Sequence, residues 1–133
     1  MQPPARGRRP HIGPREFGGG APILVYRVIK HSQPETSDFL SAAALGDAPF
    51  GKELDAPELH ESVSMWAAAA AARDLAARQP RIGRYIAEIV VTPAHAHQDI
   101  AIHTTPGEPE HRDVWATPEL LFSLVRRVFA VRG

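Results

Sequence analysis

The chain reads as an α+β domain, a small mixed sheet carrying two or three helices. Three observations predict this. The runs Ile23–Ile29 and Tyr85–Thr92 are β-branched and almost continuously apolar, as strands covered on both faces are. Between them lie six consecutive alanines, Ala67 to Ala72, which favour helix strongly. Strands and helices are interleaved, but too irregularly for a doubly wound dinucleotide fold. That fold also needs a glycine-rich turn after a strand, and Gly18-Gly19-Gly20 precedes the first one.

At 133 residues the chain fits one domain, and a hydrophobic content of 44% marks it as globular. Residues 1–20 hold Arg6, Arg8, Arg9 and Arg15 against Glu16, together with many prolines and glycines. They are predicted to be a disordered basic tail, and residues 21–133 the domain. Fifteen basic residues balance fifteen acidic ones, so with a basic tail the remainder is net acidic and nucleic-acid binding is not expected. The absence of cysteine excludes disulfides, thiol nucleophiles and cysteine zinc sites. No run is long enough to cross a membrane, and no apolar stretch follows the N-terminal arginines. A cytoplasmic location is therefore expected.

In order along the chain, the first strand is Pro22 to Ile29, with Arg27 its one charge. Ser37 or Asp38 is expected to cap a short helix to Leu45, stopped by Gly46. Residues 47–58 form a long aperiodic loop, a candidate for binding. A short strand Leu59–Ser64 is expected to hand over to a helix Met65–Arg78, with Ser64 as its cap and Gln79-Pro80 as its end. The next strand, Tyr85–Thr92, carries Glu88 in its middle. Residues 99–104 suggest another strand and 105–113 a polar loop. Thr117-Pro118-Glu119 is a helix start, and Val125–Val131 a final strand with Arg126 and Arg127 on opposite faces.

Arg27 is the first candidate for chemistry, since a charge inside an apolar strand must meet a partner or reach solvent. Its planar fork suits a phosphate or pyrophosphate, while the simplest structural role is a salt bridge to Glu88 on a neighbouring strand. Ser62 and Ser64 are two apart and share a face while the strand lasts; they could hold a ribose, or Ser64 could simply cap. His95, His97 and Asp99 offer metal-ligand types on a segment read as extended, but without helical His spacing or an anchored further ligand, and no metal is assigned. His111 and Asp113 could pair for acid–base work, and Trp115 reads as a core anchor for the final helix.

Taken together, Tyr26-Arg27, Asp38-Phe39-Leu40-Ser41, Gly46, Ser62-Val63-Ser64, the alanine run and Tyr85-Ile86-Ala87-Glu88-Ile89 resemble the ADP-ribosyltransferase-like fold of small bacterial toxins. The resemblance implies that Arg27 binds the phosphates of NAD and that Ser62 and Ser64 shape the nicotinamide and ribose pocket. It also implies a glutamate on a later strand that stabilises an oxocarbenium-like transition state. Glu108 and Glu110 are the candidates for that role, although they lie in no recognisable glutamate motif and Val63 stands where a threonine is common. The chain is also similar, over most of residues 24–131, to a group of small uncharacterised actinobacterial proteins. Tyr26-Arg27-Val28, Ala44-Leu45-Gly46 and His111 to Trp115 contribute to that likeness, which implies no activity. Two readings follow. One is an NAD-dependent ADP-ribosyltransferase or NAD glycohydrolase; the other is a non-catalytic domain of the same architecture that acts through protein contacts.

Overall fold

Two apolar layers on the opposite faces of one sheet organise the molecule. The computed structural model describes residues 11–17 and 19–132, apart from the side chains of residues 96–98. The strands are β1 (Ile23–Ile29), β2 (Val63–Trp66), β3 (Tyr85–Val91), β4 (Ala101–Thr105), β5 (Glu108–Trp115) and β6 (Val125–Ala130). They form one six-stranded sheet in the order β4-β5-β2-β1-β3-β6. Every neighbouring pair is antiparallel, which corrects the expected mixed sheet. The α+β class stands, with helices α1 (Ala69–Arg78), α2 (Pro93–Gln98) and α3 (Pro118–Ser123).

Alternation along β1 sets the two layers. Val25 and Ile29 join Phe39, Met65, Ile89, Ile102 and Leu121 on one face. Tyr26 and Val28 join Ile86, Ala72 and Ala76 on the other, where α1 lies against the sheet through its small side chains. Gly83, in the connection from α1 to β3, runs close against the end of β1. A Cβ there would collide with the Ile29 backbone carbonyl, which cannot swing away as a side-chain tip could. Gly83→Ala is therefore expected to destabilise the fold by about 2 kcal/mol, read as a lower denaturant midpoint.

Several expected elements are displaced, each for a local reason. Residues 59–61 belong to a 3-10 turn, Pro57–Glu61, and the strand follows it. Met65 and Trp66 are strand residues because they bury against opposite faces of the sheet, which outweighs the helix preference of the alanines beyond. The helix then starts at Ala69 with Ala68 at its cap position, so Ser64 caps nothing. The helix expected over 38–45 is a 3-10 turn, Thr36–Phe39. Asp38 does contribute to its N-terminus, where its carboxylate accepts the Glu35 backbone N–H at 2.8 Å.

The segment 105–113, expected as a loop, is a hairpin joining β4 to β5. Pro106 and Gly107 turn it, with Gly107 at φ +80°. The segment with His95 and His97, read as extended, is helical. Trp115 is not the anchor of α3. It is partly buried, donates its indole N–H to the Glu58 carbonyl at 2.9 Å, and meets His103 edge to face.

Residues 11–17 fall within the basic tail expected from composition, yet they run along β4. Gly13 N–H donates to the Thr104 carbonyl at 3.0 Å and Glu16 N–H to the Ile102 carbonyl at 2.7 Å. The Glu16 carboxylate pairs with Arg112 at 2.9 Å. These bonds satisfy a sheet edge that would otherwise present unpaired backbone groups, which gives the segment a partner that composition does not reveal. The rest of the expected tail, residues 1–10 and Gly18, lies outside the described residues. No helix among the described residues is long and apolar enough to cross a membrane.

Candidate functional site

β1 and β3 pair residue for residue over seven positions, whereas β1 and β2 register at a single pair, Tyr26 with Trp66. Where the β1–β2 pairing stops, a cleft of about 490 Å³ opens, within the usual range for small-molecule sites. Arg27, Ser62, Ser64 and Glu108 all line it. The structure thus brings together four of the five residues singled out in sequence. Glu110 is the exception: it is exposed, does not line the cleft, and uses its backbone carbonyl to accept the Ala67 N–H at 2.8 Å.

Arg27 does not pair with Glu88. In the β1–β3 register Glu88 stands opposite Tyr26, and Arg27 opposite Ala87, so the two charges point to opposite faces. Glu88 is instead satisfied by Arg126, Arg127 and the Tyr26 hydroxyl. Arg27 donates from Nη1 to the Ser64 carbonyl at 2.8 Å and from Nε to the Asp38 carbonyl at 3.2 Å. No carboxylate lies within ion-pair distance of it among the described residues. Burial lowers its pKa to about 10, with the nearby Asp38 charge opposing the shift. A guanidinium held by carbonyl dipoles alone, at the wall of a cleft, can accept an anionic group.

Ser62 is buried and donates its hydroxyl to the Leu59 carbonyl at 2.7 Å, so its oxygen can only accept from a ligand. Ser64 stands opposite Asp113 in the β2–β5 register, and Trp66 opposite His111. Asp113, His111 and Thr105 also line the cleft. The Thr105 hydroxyl donates to Asp113 Oδ2 at 2.9 Å and lies 2.6 Å from His111 Nδ1. Burial lowers the His111 pKa, against the opposing charges of Asp113 and Glu108, so the ring is neutral near neutral pH. Burial also raises the Asp113 pKa, against the Thr105 hydrogen bond and His111.

The long loop expected to take part in binding borders the cleft through Asp47, Phe50, Gly51, Lys52 and Glu53. A 3-10 turn, Gly51–Leu54, shapes it. Lys52 reaches across to Glu108 at 3.2 Å and so links this loop to the β4–β5 hairpin. Glu53 in turn is held by His60 at 3.1 Å.

Sequence alone does not single out Thr105 or Lys52, nor does it link His111 and Asp113 to the serines. The dipeptide Pro106-Gly107 was the available signal. Read as a hairpin turn, it makes Glu108–Trp115 a strand, places His111 and Asp113 on one face, and sets Thr105 beside them. No family model, curated protein or solved structure matches the chain.

Proposed function

We propose that this cleft binds NAD and that the protein acts on its nicotinamide–ribose bond, as an NAD glycohydrolase or an ADP-ribosyltransferase. The observation that carries the reading is Arg27, a partly buried cation without a carboxylate partner among the described residues, in one cleft with Ser62, Ser64 and Glu108. Its fork matches a diphosphate in shape and charge. Both serines line the same cleft, and their hydroxyls are of a type that suits ribose hydroxyls and the nicotinamide amide.

Glu108 is the first residue of β5, the strand paired with the serine-bearing β2. Its place on a later strand agrees with what the resemblance implies for the stabilising carboxylate. In this role Glu108 faces the positive charge that develops on the ribose as the glycosidic bond lengthens, and the interaction strengthens toward the transition state. Lys52 pairs with Glu108 at 3.2 Å and compensates its charge.

A second reading, a non-catalytic domain that works through protein contacts, is favoured by one observation. Leu45, Phe50 and Leu54, on the segment that borders the cleft, are 58%, 86% and 70% exposed. Large apolar side chains exposed along one segment suit contact with another protein, as acceptor or regulator.

Calorimetric titration with NAD tests the first reading. Wild type is expected to bind saturably below millimolar NAD. Arg27→Ala, shown to be folded by circular dichroism, is expected to bind about 100-fold more weakly, in line with the loss of a charge-assisted contact. Failure of the wild type to bind at millimolar NAD would rule this reading out and leave the protein-contact reading in front.

A further inference from the structure

The chain His111–Thr105–Asp113 has the construction of an oriented base. Thr105 has one hydroxyl proton, and it points to Asp113 Oδ2 at 2.9 Å. The Thr105 oxygen can then only accept at its 2.6 Å contact with His111, which places the ring proton on Nδ1. That leaves Nε2 with its lone pair free, and among the described residues it has no hydrogen-bond partner. Trp66 meets the ring edge to face, with centroids 5.1 Å apart, and fixes its plane. His111 lines the same cleft as Arg27 and Ser64.

We propose that His111 Nε2 is the general base that takes the proton from the attacking nucleophile, with Thr105 and Asp113 as positioning residues. The proposal rests on the NAD reading above and names how that site would activate water or an acceptor. In the hydrolytic form of the step, the bond between the ribose anomeric carbon and the nicotinamide ring nitrogen breaks. Its electron pair moves to that nitrogen, which becomes neutral. A water oxygen bonds to the anomeric carbon and gives one proton to Nε2, which releases it to solvent. NAD and water thus yield ADP-ribose, nicotinamide and one proton.

The charged groups around His111 are Asp113 and Arg112 on its own strand, Glu108 at the start of that strand and Lys52 from the loop. Asp113 and Glu108 favour the imidazolium, while Lys52, Arg112 and above all burial favour the neutral base. The acid limb of the rate profile is therefore expected below the ordinary histidine range.

The test measures nicotinamide release from NAD between about pH 5 and 9, beside calorimetric NAD binding. His111→Gln is expected to bind NAD as wild type does, lose about 100-fold or more in kcat, and lose the acid limb. Thr105→Val is expected to lower kcat and shift the limb, and Thr105→Ser to restore both. Nitrogen-15 NMR of the imidazoles in the wild-type protein should show the Nδ1–H tautomer for His111. An Nε2–H tautomer, an unchanged kcat and acid limb in His111→Gln, or binding without turnover would each overturn the base while leaving NAD binding intact. Absence of NAD binding by wild type overturns the underlying reading, and the base falls with it.

Discussion

Glu88→Ala is expected to destabilise the protein by about 3 kcal/mol, seen as a lower midpoint in urea at unchanged slope. Glu88 is 1% exposed and accepts from three side chains: Arg126 Nε at 2.8 Å, Arg127 Nη2 at 3.1 Å and the Tyr26 hydroxyl at 3.0 Å. The two arginine side chains are 58% and 62% exposed, so on losing the carboxylate they turn to water and strand no buried charge. Tyr26 has no such escape, and a small cavity opens where the carboxylate stood. These two losses place the effect near the lower end of what breaking a buried pair costs. An effect below about 1 kcal/mol would mean that the cluster adds little beyond solvation.

The same cluster fixes the sign of a pH dependence. Burial alone would raise the Glu88 pKa, but hydrogen bonds from Arg127, Tyr26 and Arg126 outweigh it and hold the pKa below the ordinary glutamate value. The folded pKa is thus lower than the unfolded one. The stabilisation is complete above the unfolded value of about 4.3 and is lost as pH falls through the folded pKa. Between about pH 5 and 2, Glu88→Ala should lose less stability than wild type, and the two curves should converge.

Glu88 also marks where the sequence stops being readable. That it sits mid-strand in an apolar run is evident from Tyr85–Val91 alone, and so is its need for a partner. Which partner it finds depends on register. Adjacent arginines on a regular strand point to opposite faces, and only one could reach Glu88. A bulge intervenes: Glu88 stands opposite Arg127 while Ile89 stands opposite Val125, so Arg126 is the extra residue and both side chains converge. Nothing in the local sequence announces that irregularity.

Thr117 accepts the Leu120 N–H at 3.2 Å as the cap that Thr117-Pro118-Glu119 signals, because capping is decided within four residues. The cleft lies between these extremes. Arg27, Ser62, Ser64 and Glu108 could each be picked out as a residue type in its place. Their convergence, and the exclusion of Glu110, follow from how β5 pairs with β2 and where β2 parts from β1.

Arg27→Met should separate stability from binding. Methionine keeps the length and apolar stem of the side chain and removes the charge. In the folded protein that charge is desolvated and compensated by two carbonyl groups rather than a carboxylate, and its pKa falls to about 10. Because the folded pKa lies below the unfolded one, the protonated group opposes folding throughout the neutral range, and this penalty fades only as pH rises above the folded pKa. Removing the charge is expected to leave stability unchanged or raise it by up to about 2 kcal/mol. The carbonyl of Ser64, at the wall of the cleft, can be hydrated in its place. NAD affinity should fall about 100-fold, as in Arg27→Ala. A residue retained against stability in this way is serving a ligand. If Arg27→Met instead unfolds at a clearly lower denaturant concentration than wild type, the guanidinium is chiefly a brace between the parted strands β1 and β2, and the case for an anion site at Arg27 is lost.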